Sequence, residues 1–143
     1  MCYMYHICVV GLSLRFTTSY AKKKVSGRTG HSLTFVWKFS GGVKFVTWGL
    51  ANDAGSDMAN KLISLNARDV DVLLPKPEAY KGRVNGTRTG DSSSGQASFT
   101  LYNVSKDDEG FYCCSLEPSN PNFQETTDFV QLIVVGMYLF RQL

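Results

Sequence analysis

Leu33, Phe35 and Trp37 occupy every second position of one short segment, and Val46 and Trp48 do the same in the next. Phe99 and Leu101 repeat the pattern later, with Val104 closing the run. Successive side chains of an extended strand point to opposite faces, so each set lines one side of a strand. Turn-forming clusters punctuate the chain at Gly27 and Gly30, Gly41-Gly42, Asn52 to Gly55, Pro75 and Pro77, Gly90 to Gly95, Asp107 to Gly110 and Pro118 to Pro121. No run with a helical period is long enough to compete. Short alternating strands between evenly spaced turns predict an all-β sandwich or barrel. Residues 61 to 74 are ambiguous, since Leu62, Ile63, Leu65 and Val70 fit either a strand or a short helical turn.

The two ends of the chain read differently from its middle. Ile7 to Leu14 is apolar apart from Gly11 and Ser13, which matches the hydrophobic stretch of a secretory signal peptide. No Lys or Arg precedes it, and the small residues around it allow cleavage after Ser13 or after Ala21. The competing reading makes Leu14 to Thr18 simply the first strand. At the other end, Phe129 to Phe140 is apolar but contains Gln131 and Gly136. It falls short of the roughly 18 apolar residues a membrane span needs. A last strand explains it better, so the expected division is a leader over 1–13, one domain over 14–136 and a tail over 137–143. A membrane would be reached only through an anchor that this chain does not contain.

Composition narrows the class. The 143 residues are 43% hydrophobic and 19% charged, with a net charge of +3. That length and balance suit one folded domain with its own core. Lys22, Lys23 and Lys24 form the one basic run, without interleaved aromatics, which argues against a nucleic-acid partner.

The segment Asp108-Glu109-Gly110-Phe111-Tyr112-Cys113-Cys114 has the form D-x-G-x-Y-x-C. It resembles the turn and strand F of immunoglobulin V-type domains. Gly30, Ser32, Leu33, Phe35 and Trp37 resemble that family's strand B; Trp48 stands where strand C has its core tryptophan; Tyr80-Lys81-Gly82-Arg83-Val84 resembles the start of strand D. The resemblance covers roughly residues 14 to 136. It implies an antiparallel Greek-key β-sandwich with Trp37, Trp48, Tyr112 and Cys114 in the core. It also implies a tyrosine corner at Tyr112 and a salt bridge between Arg83 and Asp108. Two departures stand out. Trp37 takes the place of the strand B cysteine, so the inter-sheet disulfide cannot form. The last strand lacks the F-G-x-G bulge of antibody variable domains. The nearer resemblance is therefore to variant V-type domains of cell-surface receptors.

Catalytic chemistry finds little support. The four cysteines are Cys2, Cys8, Cys113 and Cys114, and the two histidines are His6 and His31. Neither zinc-ligand spacing nor a nucleophile–base–acid set emerges from them, and no cofactor site is expected. Trp37 is expected to bury its ring against Trp48 and Tyr112. Alternation turns Phe45 and Thr47, then Phe111, Cys113 and Ser115, then Phe129, Gln131 and Ile133, to the outer face of one sheet. Phe45, Phe111, Phe129 and Ile133, with the free thiol of Cys113 among them, are the expected apolar protein-binding patch, bordered by the Leu116 to Thr127 connection. Asn85-Gly86-Thr87 and Asn103-Val104-Ser105 are N-glycosylation sequons turned outward. The expected role is an extracellular recognition or adhesion module, cell-surface or secreted, that is not an enzyme. Its expected partner is another protein, either a second copy or a related immunoglobulin domain. The alternative is a spacer in a tandem extracellular array with no ligand of its own.

Overall fold

The computed structural model describes residues 14–68, 71, 75–90 and 94–136. The expected leader and tail, and Val70, lie outside them. Among the described residues nine strands run in order: β1 (Arg15–Thr18), β2 (Lys24–Arg28), β3 (Leu33–Ser40), β4 (Val43–Ala51), β5 (Met58–Leu65), β6 (Val84–Gly90), β7 (Ser94–Leu101), β8 (Gly110–Pro118) and β9 (Thr126–Val135). Single 3₁₀ turns cover Glu78–Tyr80 and Lys106–Asp108. Of the ambiguous stretch, Lys61 to Leu65 is strand, continuous with Met58. Since Arg15–Thr18 is a strand of the sheet, only cleavage after Ser13 would leave it in place.

The strands form two sheets, ordered β1-β3-β7-β6 and β2-β9-β8-β4-β5. All pairings are antiparallel except β2 with β9, which run parallel. That exception has a local cause. The chain leaves the first sheet after β1 and joins the second as β2, through a jog at Tyr20 to Lys23. Ala21 and Lys22 sit at φ +47° and +63° in the jog, a region that non-glycine residues enter only when their surroundings hold them there. The Lys22 amide donates to Phe129 O at 2.9 Å and the Lys23 amide to Tyr20 O at 2.8 Å.

The core fills the space between the sheets, as alternation requires. Phe35, Trp37 and Phe39 of β3, Ala97, Phe99 and Leu101 of β7, Val46 and Trp48 of β4, Tyr112, Cys114 and Leu116 of β8, and Val130, Leu132 and Val134 of β9 are all buried. Large residues face small ones across the first sheet: Trp37 lies opposite Ala97 and Phe39 opposite Gly95. A Cβ on Gly95 would fall 2.4 Å from the Phe39 ring. Gly86 of β6 makes room in the same way for Trp48, whose Cζ3 would lie 2.4 Å from an added Cβ. Such matching of large to small lets an aromatic core reach native packing density without a disulfide.

Candidate recognition face

Trp37 occupies the core, but its neighbours differ from those expected. Its ring meets Tyr20 edge-on, with centroids 5.1 Å apart, and Phe35 at 6.0 Å. Phe35 is the residue that stacks on Tyr112, at 5.5 Å, while Trp48 packs on Phe99 at 6.4 Å. The reason is polar. The Trp37 Nε1–H donates to Asp128 Oδ2 at 2.8 Å, which aims the indole at β9 and the β1–β2 jog. The Tyr20 amide donates to the same oxygen at 2.6 Å, and the Ala21 amide to Oδ1 at 3.1 Å. One buried carboxylate thus links the two sheets through Trp37 and pins the strained jog. Asp128 pairs with Cys114 across β8 and β9, where the missing bridge would lie. Cys113 and Cys114 are both unbridged. The Trp48 Nε1, by contrast, is buried without a hydrogen-bond partner.

The lower corner is a dense polar knot. Arg83 Nη2 lies 2.6 Å from Asp108 Oδ2, and Nη1 donates to Oδ1 at 3.2 Å. The same guanidinium donates to Ala79 O and Asn103 O, both at 2.8 Å. The Tyr112 hydroxyl donates to Asp108 O at 2.7 Å, the tyrosine-corner bond, and lies 3.2 Å from the Tyr80 hydroxyl. Burial, more than any other cause, holds the Tyr112 phenol far above its ordinary range. His31 is exposed.

The outward face of the five-stranded sheet departs from the expected patch in two ways. Cys113 is not exposed; it is 1% accessible. Its strand neighbours on that face are Gly49, which has no side chain, and Phe129, so the thiol sinks against the sheet and lies 3.5 Å from Gly49 O. Burial pushes this thiol up to about 12, with the Gly49 contact opposing. The Cys114 thiol is also raised well above its ordinary range, again chiefly by burial. Second, Phe45, Phe111, Phe129 and Ile133 are only partly exposed. Phe111 is roofed by the β4–β5 turn, where an added Cβ on Gly55 would fall 2.8 Å from its ring. The Lys44 ammonium lies 5.7 Å from the Phe45 ring centroid. Among the described residues, the large hydrophobics most open to solvent are Tyr102 and Val135 instead.

Between Phe45 and Phe129 the face is polar. Thr47, Met58, Lys61, Ser115, Glu117, Glu125 and Thr127 line a shallow depression. Thr47 and Ser64 share a hydrogen bond of 2.9 Å; the Thr127 hydroxyl donates to Ser115 Oγ at 3.1 Å, and Ser115 in turn donates to Glu125. The connection from β8 to β9, now 119–125, brings Glu125 to this row. Sequence parity turned Thr47 and Ser115 outward, but nothing in it attached Ser115 to Glu125, whose position depends on how the loop closes. Asp128 was also missed, although an available signal marked it: it is the one charged residue in phase with Val130, Leu132 and Val134.

Residues 20–134 match the model of the immunoglobulin V-set domain. The chain belongs to the immunoglobulin V-set family. Solved structures agree on the fold of this V-set domain. Murine CRIg is 16% identical, with a TM-score of 0.63, over 85% of this chain and 98% of that one. A VGSC beta subunit domain, solved in photo-crosslinking work on the multimeric cell-adhesive interactions of those subunits, is 20% identical. Its TM-score is 0.59, over 82% of this chain and 96% of its own. No curated protein matches the V-set chain in sequence. In family terms β3, β4, β6, β7, β8 and β9 are strands B, C, D, E, F and G, β5 is C′, and Trp37 holds the strand B cysteine position. No described helix is long and apolar enough to cross a membrane. No group of described His, Cys, Asp or Glu residues is placed to hold a metal ion.

Proposed function

We propose that this V-set domain is an extracellular recognition module, cell-surface or secreted, that binds another protein through the outward face of the five-stranded sheet. The observation that carries this reading is the contrast between the two outer faces. On the four-stranded sheet the outward strand positions include Thr34, Lys38, Gln96, Ser98, Thr100, Asn85, Thr87 and Thr89, with Val36 apolar among them and the exposed Tyr102 just past β7. On the five-stranded sheet, partly exposed Phe45 and Phe129 flank a hydrogen-bonded set of Ser115, Glu125 and Thr127, with Thr47 beside it bonded to Ser64. Aromatic anchors beside a few fixed polar groups are what protein interfaces use. The adhesive behaviour named for the VGSC beta subunits is in keeping with this role.

The test displays the full chain on beads and measures bead aggregation and bead adhesion to cells. Phe111 is unsuitable as a probe because it supports Gly55, so Phe45→Lys and Glu117→Lys are the informative variants. Each is expected to weaken adhesion by about tenfold, the equivalent of about 1.4 kcal/mol, with an unchanged melting temperature. Ser98→Lys, on the other sheet, should leave adhesion intact. Adhesion unaffected by either face variant would move the contact to the loops. A chain that adheres to nothing would be the spacer.

A further inference from the structure

The sequence holds two N-x-Ser/Thr sequons, and the topology brings both to one sheet and one end of it. Asn85 lies on β6, the terminal strand of the four-stranded sheet, opposite Thr100. Asn103 follows β7 directly, and the adjacent Tyr102 amide donates to Arg83 O at 2.8 Å, just ahead of β6. Both asparagines are exposed. Neither sequon falls on the five-stranded sheet.

The Asn85 sequon has each of its three positions assigned by geometry. Gly86 faces inward, and its missing Cβ is the space that Trp48 fills. Asn85 and Thr87 therefore face outward on the same side, as residues two apart on a strand must. Both are exposed, and none of the described hydrogen bonds uses either side chain. The Asn103 sequon is more committed. Its Asn is at φ +52°, Val104 is buried, and Ser105 is the N-cap of the Lys106–Asp108 turn, its amide donating to Asp108 Oδ2 at 2.8 Å.

We propose that Asn85 is an N-glycosylation acceptor, and that its glycan covers the polar face and terminal strand of the four-stranded sheet while the five-stranded face stays bare. This rests on the extracellular reading above. In the transfer, Asn85 Nδ2 attacks C1 of the first sugar of an oligosaccharide carried on a polyprenyl diphosphate. The C1–Nδ2 bond forms, the C1–O bond to the diphosphate breaks, the lipid diphosphate leaves with the electron pair, and Nδ2 loses one proton. No redox partner is needed. The folded domain accepts the product because the exposed Asn85 side chain has none of the described hydrogen bonds to give up. A sugar there also blunts a sheet edge that would otherwise invite strand pairing.

The experiment expresses the full chain behind a heterologous secretion leader in eukaryotic cells. Glycan release in heavy-oxygen water then converts an occupied Asn to labelled Asp, read by peptide mass. Asn85 should be labelled, and Asn85→Gln and Thr87→Ala should each remove that glycan. Labelling of Asn103 in addition leaves the proposal standing. A secreted chain with Asn85 unmodified, or with Asn103 alone modified, overturns it. Occupancy is read by mass and needs no partner, so it stands or falls separately from the adhesion result. If the glycosylated chain loses adhesion that its enzymatically deglycosylated form retains, the bare-face assignment is wrong.

Discussion

Asp128 places an ionisable side chain in the core phase of β9, and three N–H donors account for it. Its removal by Asp128→Ala would strand the Trp37 indole and two backbone amides of the jog. An unsatisfied buried donor costs about 1–3 kcal/mol, so a loss of about 3–5 kcal/mol is expected in denaturant unfolding. Asp128→Asn keeps an acceptor oxygen and should lose less. Trp37→Phe keeps a ring against Tyr20 but drops the donor, at about 1–2 kcal/mol. Trp37→Ala removes the ring as well, and large aromatic truncations cost about 3–5 kcal/mol. If Trp37→Phe were neutral, the indole hydrogen bond would contribute nothing to stability. The two thiols make a separate test at this scale. With Cys113 raised to about 12 and Cys114 raised well above its ordinary range, both by burial, neither holds appreciable thiolate at pH 8. Iodoacetamide, read by peptide mass, should leave Cys113 and Cys114 of the native chain unlabelled and modify both once it is unfolded; fast native labelling of either would show that the Phe129 and Gly49 neighbourhood opens.

Strands are joined here by a few residues that answer to two elements at once. Gly86 belongs to β6 but is shaped by Trp48 of β4. Gly86→Ala should force the indole aside, and overpacking of this kind costs about 1–3 kcal/mol in thermal unfolding. The Arg83–Asp108 pair ties β6 to the turn before β8 and, through Ala79 O and Asn103 O, to the segments on either side. Asp108 is buried, while the Arg83 side chain remains 24% exposed. Arg83→Ala is therefore expected to cost about 2–4 kcal/mol, somewhat below the range for a fully buried pair. Arg83→Lys should recover only part of that, because an ammonium cannot reproduce the bidentate fork and its carbonyl bonds together. Full rescue by lysine would reduce the corner to simple charge pairing.

At the scale of the whole domain, the inter-sheet link is a hydrogen bond instead of a covalent one. A bridge worth about 2–4 kcal/mol would shift the melting temperature by several degrees on reduction. Reductant is expected to leave the melting temperature of this chain unchanged. A fall on reduction would mean that a disulfide forms after all. The two outer faces divide the remaining work: one is polar and bears both sequons, and the other combines aromatics with a carboxylate-bearing row. That division is the basis for expecting face-specific loss of adhesion in Phe45→Lys and Glu117→Lys.

Period-2 alternation set out the inward faces of β3, β4, β7, β8 and β9 from the sequence alone, because a strand's geometry leaves a side chain only two directions. The D-x-G-x-Y-x-C run likewise marked the corner, since its bonds are made within a few residues of one another. What the sequence could not determine depends on contacts between distant segments. Direction alone does not decide exposure: Cys113 points outward and is still buried, because Gly49 and Phe129 meet beside it across two strand pairings. Phe111 points outward too, and the β4–β5 turn closes over it. Asp128 stands 91 residues from Trp37, and its carboxylate became a structural acceptor only when the jog after β1 brought Tyr20 and Ala21 to the same point. Alternation is a property of one strand; these assignments belong to the packing of several, and only the tertiary structure brings those together.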